Sequence, residues 1–457
     1  MSSVLVIDGT GRGHALCEMF TRTDPEVTVF YGPGCDLIED PRIVPVSSVS
    51  LTDPATALRF LSAQPVEFTF VSNIDALSRG YVDVLRAAGH RVVGPTREAA
   101  RLESSKERGK AFCLANDVPT AEYRHFIDPV SAKAYIRSLP YACVVKTDGL
   151  TPDGDGAVVC DTAAEAEAAV DAFARVADRA GEPFEAVVEE RLNGTEISVF
   201  ALLDGDSYLM FPTAADFKRT LEQDAGKNCD GMGSVSPHPA DSPELHEEIR
   251  RTLLEPVLAG IRKEGLDYSG FLYVGAMMTD AGLRVIEINA RFGDSEAEAV
   301  LPGVVSDFTA LCRAVLDREL HLQELRTDGL ARCSVALTQG CLEPADPAAL
   351  PGWPFGAFAT GQPVSGLDRV DRSEASVFYA NIRRDSSDNP GGGLPVSSGG
   401  RVLHVVGSAP TPGQARELAY RQIQRVSFPG MRYRGDIGAA GTTASTSTST
   451  EHLVTVP

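Results

Sequence analysis

The chain has 457 residues, 43% hydrophobic and 23% charged, a balance that fits a folded protein of two to four domains and excludes a disordered or fibrous one. Its formal net charge of −21 would repel nucleic acid and anionic membrane surfaces, and no run of Lys and Arg interleaved with aromatics makes a local exception. No apolar run approaches the roughly 18 residues of a membrane span, no basic leader precedes the first strand, and nine cysteines show no CxxC or Cys/His spacing, so buried thiols in a reducing cytoplasm are expected.

Short apolar runs open the chain, VLVID, VTVFYG, FTFVS and RVVG, alternating with helical stretches such as HALCEMFTR and YVDVLRAAGH. This is the rhythm of a parallel α/β sheet, extending to about Pro95. From Glu103 the pattern becomes a helix carrying Lys106 and Lys110, a strand ACVVK, a glycine-rich turn and a second strand AVVC. Thr162 and Glu165 form a capping box for a helix that Gly181 ends. The strands AVVEE and ISVFALLDGDSYLMF follow, with a hairpin turn at Asp204-Gly205. A long helix over about 244–264 leads to FLYVGAMMTD and LRVIEINAR, again joined by a turn, at Ala281-Gly282. Beyond about Arg326 comes a strand-rich unit with a flexible DSSDNPGGGLPVSSGGR, and the last residues, AAGTTASTSTSTEHLVTVP, are low in complexity and expected to be disordered.

Three stretches carry chemistry. In LRVIEINARFGDSE, alternation along a strand puts Ile286 and Ile288 on one face and Glu287 with Asn289 on the other, two adjacent hard oxygen donors of the kind Mg²⁺ on nucleotide phosphates needs. Arg291 follows on that face, within reach of a phosphoryl oxygen; a solvated strand face with ordinary ion pairs reads the same way. KTDGLTPDGDGAVV, residues 146–159, has the shape of a phosphate-holding turn but carries Asp148, Asp153 and Asp155 where a lysine would neutralise the anion. KNCDGMGSVSP, with Gly231, Met232 and Gly233, shows no strong preference for regular structure, and DFKR just before it reads alone as a charged turn. The N-terminal DGTGRGHA matches a dinucleotide fingerprint only loosely, since His14 stands at the third glycine and Tyr31 falls near the place of the ribose-binding acid.

Taken in order, VLVIDGTGRGHAL, SKERGKAFCLANDVPTAEY, VVKTDGL, VVEERLNGTEIS, DFKR, DGMGSVSP, YSGFLYVGAMM, VIEINARFGDSE, SGGRVLHVVG and RGDIG resemble the phosphoribosylamine–glycine ligase family of the ATP-grasp superfamily, a purine-pathway family, over nearly the whole chain to about Ile437. The resemblance implies an α/β and α+β multidomain fold: an N-terminal parallel α/β domain over 1–103, a two-lobed ATP-grasp core over 104–325 with a small lid at about 118–192, a β-rich domain over 326–437, and a tail over 438–457. It implies ATP and Mg²⁺ (or Mn²⁺) as cofactors, small-molecule amino acid and amine substrates, and a cytoplasmic monomer or homodimer. Lys106 and Lys146 would contact ATP phosphates; Glu189, Glu190 and Leu192 would line the adenine and ribose pocket, and Glu196 would face the ribose. Glu287 and Asn289 match the metal ligands, with Arg291 and Lys146 acting on the transferred phosphoryl group. Asp216, Lys218, Arg219, Gly231, Met232, Gly233 and Asp294 fall where the amino acid is handled, and Gly11, Arg12 and Asp75 where the amine docks.

Three departures stand out. The turn that carries GKG in the family is Gly154-Asp155-Gly156 with one inserted residue; its NGGREH is Gly9-Thr10-Gly11-Arg12-Gly13-His14; its GPEAPL is Ser72-Asn73-Ile74-Asp75-Ala76-Leu77. Two of them lie on the amine side, while DFKR and the GMG segment are kept. The expectation is therefore a carboxylate–amine ligase that makes an amide through an acyl phosphate, activating glycine or a similar small amino acid for a non-standard amine in specialised metabolism, with Asp155 meeting a cationic amine or ordering the closed lid. The competing readings are an authentic phosphoribosylamine–glycine ligase and a nucleotide-binding pseudoenzyme.

Overall fold

The computed structural model describes residues 2–151, 156–340, 358–385 and 393–439. Val4, Leu5, Val6 and Ile7 are all fully buried, as only a strand covered on both faces permits. That strand, β1 (Ser2–Asp8), lies at the centre of the N-terminal layer. Helices α1 (Gly11–Thr23), α2 (Pro54–Ala63), α3 (Ile74–Ser78) and α4 (Tyr81–Ala87) connect it with β2 (Val27–Pro33), β3 (Ile43–Pro45), β4 (Phe68–Val71) and β5 (Val92–Val93). The order is β3-β2-β1-β4-β5, parallel throughout, so the loops after the strands gather at one edge and carry Thr10, Arg12 and Asp75 there together.

Helices α5 (Arg97–Ser104) and α6 (Lys106–Ala115) lead into a small lid of β6 (Tyr123–Phe126), α7 (Pro129–Ser138), β7 (Cys143–Thr147), β8 (Ala157–Cys160), α8 (Ala163–Ala180) and β9 (Ala186–Glu190). Its antiparallel sheet runs β6-β9-β7-β8 and has a core of its own around Val145, Val170 and Phe173. Both ends of α8 are as the sequence predicts: Thr162 and Glu165 make the reciprocal cap, and Gly181 closes the helix at φ 69°.

The second lobe continues with β10 (Thr195–Leu203), β11 (Tyr208–Met210), β12 (Ala215–Asp216) and β13 (Gly233–Ser236), then α9 (Pro243–Ile249) and α10 (Glu255–Lys263), which a π-turn at 250–254 joins into the expected long helix. Strands β14 (Gly270–Thr279) and β15 (Gly282–Asn289) complete a sheet of order β11-β10-β14-β15. After α11 (Glu296–Val300) and α12 (Phe308–Asp317) comes the C-terminal unit: β16 (Ala331–Gln339), β17 (Ala375–Tyr379), a hairpin of β18 (Ile382–Arg384) and β19 (Pro395–Ser397), β20 (Arg401–Ala409), α13 (Pro412–Ile423) and β21 (Met431–Arg432). Residues 440–457 and most of the glycine-rich DSSDNPGG stretch lie outside the described residues, whereas Gly438 and Ala439 sit at the rim of the central cleft.

Two local expectations are corrected. The GMG segment is not irregular throughout: Gly233 begins β13, which pairs with β16, so a strand of the central lobe is built into the C-terminal sheet β12-β13-β16-β20-β17. Local propensity is weak there, and a long-range partner decides. In β15 the register shifts opposite Gly275 and Ala276, which face Glu287 and Val285 and leave Ile286 as the extra residue. Ile286 therefore joins Glu287 and Asn289 on the cleft wall, while Val285 and Ile288 pack in the core.

One hydrophobic core runs from the N-terminal layer through the central lobe into the C-terminal sheet. At its middle Phe292 stacks on Phe200 with ring centroids 4.1 Å apart and meets Phe271 edge-on at 5.0 Å. Phe292 directly follows Arg291, so this packing fixes where the arginine emerges. Phe292→Ala should cost roughly 3–5 kcal/mol of stability, read as a lowered urea midpoint; an unchanged midpoint would show that the stack does not hold the joint.

Candidate functional site

A cleft of about 1690 Å³ lies between the lid and the second lobe, with the edge of the N-terminal layer at one end. Single small-ligand sites occupy roughly 300–1,000 Å³, so this one has room for more than one substrate.

On the lid side, Lys146 near the end of β7 and Glu189 in β9 face inward. Glu189 is 4% exposed and ion-paired at 2.5 Å to Lys146 Nζ and at 2.6 Å to Nζ of Lys110 from α6. Burial would raise the Glu189 carboxyl, but the two ammoniums hold it below its ordinary value. Burial pulls Lys110 down. Two cations sharing one anion leave a surplus positive charge at the wall, which a phosphate would complete. Lys146 also donates to the Ile286 carbonyl at 3.2 Å, using the oxygen that the bulge exposes. Lys106 starts α6 and lines the cleft; the Asp148 carboxylate accepts the backbone amides of Lys106 and Glu107 and the Ser105 hydroxyl at 3.0 Å. Asp148, an unwelcome charge for a phosphate turn, is thus spent on capping α6. Glu190 pairs with Arg284 of β15 at 3.2 Å, and Leu192 lines the cleft beside it.

Across the cleft, Glu287 and Asn289 project from β15. Burial would raise the Glu287 carboxyl, but Lys218, Lys106, Lys146 and Arg291 hold it well below the usual carboxylate range, so it stays ionised. Lys218 Nζ stands 3.2 Å from Glu196 and 3.3 Å from Glu287. Burial opposes its charge, yet these carboxylates, with Tyr273 and Asp216, keep it firmly protonated. Arg291 is held by Glu103 at 2.8 Å. Burial and the neighbouring Glu296 push the Asp216 carboxyl well above its ordinary value, while its Oδ1 lies 3.3 Å from the Ser295 hydroxyl. Arg219 lines the cleft and donates to the Gly226 carbonyl at 2.9 Å.

Not every candidate lies on the wall. Gly231, at φ 80°, lets the chain pass against Asp216 and Ser295, where a Cβ would collide; Met232 is buried in the core, and Gly233 belongs to β13. Gly11 lies behind the wall at the start of α1. Asp155 lies outside the described residues. At the N-terminal end Arg12 and Asp75 do line the cleft, but Arg12 Nε is ion-paired to the fully buried Asp8 at 2.9 Å, and Asp8 also accepts from Ser72 at 2.8 Å. Asp294 lies opposite, with Arg401 Nη1 3.1 Å away; burial would raise its carboxyl, but Arg401 holds it down at about 2. Sequence reasoning named Lys110 without a role and passed over Glu103 and Arg401, because each acts through a partner more than 75 residues away.

Comparison with known proteins agrees with this arrangement. Three family models match in succession: "Phosphoribosylglycinamide synthetase, N domain" over 2–103, the ATP-grasp (A) domain over 104–297 and the C domain over 348–440. The phosphoribosylamine–glycine ligase of Vibrio vulnificus is 34% identical over 95% of this chain and 97% of its own, and that of Chlorobaculum tepidum 36% identical over 95% and 99%. The crystal structure of the phosphoribosylamine–glycine ligase of Thermotoga maritima superposes with a TM-score of 0.76 at 27% identity, over 95% of this chain and all of that one. An L-amino acid ligase from Bacillus licheniformis, at 16% identity and a TM-score of 0.58 over 94% and 98%, shares the fold.

Glu287→Gln should abolish ADP formation with the melting temperature held within a few degrees, because it removes a cleft-facing charge and leaves the strand intact. Normal turnover by that variant would remove Glu287 from the reaction.

Proposed function

The chain belongs to the phosphoribosylglycinamide synthetase family of ATP-grasp, ADP-forming carbon–nitrogen ligases, and from that premise we propose that it joins the carboxylate of glycine to phosphoribosylamine. The observation that carries the reading is the meeting, in one cleft, of the surplus positive charge of the Lys110–Glu189–Lys146 triad, the ionised Glu287 and the N-terminal loop edge. Relatives bearing this name match over 95% of the chain, which favours it over the reassigned amine that the sequence departures suggest.

The reaction has two balanced steps. A carboxylate oxygen of the amino acid attacks the γ-phosphorus of ATP and ADP leaves; the amine nitrogen then attacks the acyl carbon, phosphate leaves and the nitrogen gives up one proton. Lys146 and Lys106 hold the phosphate oxygens on one side while Arg291, braced by Glu103, meets the charge that builds up on transfer. Lys218, kept protonated between Glu196 and Glu287, offers an ammonium to the amino acid's carboxylate in the same cavity. Glu287 and Asn289 present two hard oxygens, a donor set that fits Mg²⁺. Bound by these two residues, a magnesium ion would supply positive charge against the phosphates.

A second reading, a different amine, is favoured by one feature: Arg12 already has its charge met by Asp8, so the amine end offers a phosphate-bearing substrate no surplus cation from that turn. One assay separates the two. Purified chain with ATP and glycine should release ADP when phosphoribosylamine, generated in situ, is present, with the glycinamide ribotide mass in the product. ADP release with other amines but none with phosphoribosylamine would establish the second reading. Silence with every amino acid and amine tried would overturn both.

A further inference from the structure

Behind the cleft wall, two buried atoms with no hydrogen-bond partner, Glu298 Oε1 and His404 Nε2, converge on Asp294 Oδ1, which is ion-paired to Arg401. Glu298 and His404 are fully buried. His404 Nε2 lies 3.7 Å from Asp294 Oδ1 and 3.8 Å from Glu298 Oε1, too far for a hydrogen bond to either. All three atoms fall within 4.8 Å of one another. Leaving Glu298 Oε1 and His404 Nε2 bare in the interior is unfavourable, so a group is expected to fill the gap.

We propose that Asp294, Glu298 and His404 bind one divalent transition-metal ion of the zinc class, at a site separate from the magnesium donors Glu287 and Asn289. Zinc holds nitrogen and oxygen donors at about 2.0–2.2 Å, which sets two ligands of a tetrahedral ion roughly 3.4 Å apart. The two separations from His404 need close by only a few tenths of an ångström, and the two carboxylate oxygens lie within 4.8 Å of each other. The other ring nitrogen of His404 faces the Ser334 hydroxyl at 3.4 Å, the outer partner that orients a ligating imidazole.

The surroundings suit a dication. Asp8 pairs with Arg12 and Asp294 with Arg401, while Glu298 has no lysine or arginine within ion-pair distance among the described residues. Asp294 Oδ1 would be shared between the ion and Arg401, 3.1 Å away. Space has been left for the ligands: a Cβ on Gly11 would collide with the Glu298 carboxylate and come within 3.3 Å of the His404 ring. Asp294 lines the cleft, giving the ion an entrance. Such an ion would tie the loop after β15 and the start of α11 to β20, beneath the first turn of α1. The proposal does not depend on which amine the enzyme takes.

The test is metal binding by the full-length chain, stripped with a chelator and free of nucleotide. Zinc titration should give one equivalent per chain, and Co²⁺ should give the visible bands of a low-coordinate nitrogen–oxygen site. Glu287→Gln should bind zinc like the parent, while His404→Ala and Glu298→Gln should lose at least about 100-fold in affinity. His404→Gln, which keeps a neutral polar side chain, replaces His404→Ala if the latter does not fold. Absence of stoichiometric binding by the parent overturns the proposal whatever the variants do; so does equal affinity in folded variants at 298 and 404.

Discussion

Glu189 holds two lysines from different parts of the chain, and the nucleotide end of the cleft depends on that triad. Lys110 comes from α6 in the base of the cleft, Lys146 and Glu189 from the lid, and all three are nearly withdrawn from water. Burying charge is expensive unless partners are close, so lid and base have one favourable arrangement, in which both ammoniums share the carboxylate. Next along β9, Glu190 reaches Arg284 of β15 and repeats the link. The triad also keeps one positive charge over, which is how a chain with net charge −21 presents a wall that attracts phosphate.

Opposite that wall the same logic runs with the signs mixed. Glu287 is ionised because four cations surround it, and Lys218 and Arg291 are charged because carboxylates surround them. Each group is held ready in its reactive charge state before substrate arrives, the preorganisation that phosphoryl transfer requires of a protein. The N-terminal end is different: Arg12 and Asp8 satisfy each other, and two of the three departures from the family's motifs lie on that side.

Much of this was legible in sequence. The parallel layer and the α8 capping box are local patterns of period and cap, and they appear as read, while Glu287 and Asn289 both reach the cleft wall. The bulge at Ile286 was not, because alternation cannot register one extra residue forced by the partner strand, yet it supplies the carbonyl that Lys146 binds. Gly231 to Gly233 showed no preference for regular structure; their freedom is used for close passage against Asp216 and for entry into β13, whose partner lies nearly a hundred residues away. Glu103 with Arg291, and Asp294 with Glu298 and His404, are groupings that only the fold assembles.

The central claim is that this cleft activates a carboxylate by moving the γ-phosphoryl group of ATP onto it. The direct measurement is oxygen transfer: glycine labelled with ¹⁸O in its carboxylate, turned over with ATP and phosphoribosylamine, and the released phosphate analysed by mass spectrometry. Phosphate carrying one ¹⁸O per amide formed is the predicted result. Unlabelled phosphate alongside amide product would contradict the account.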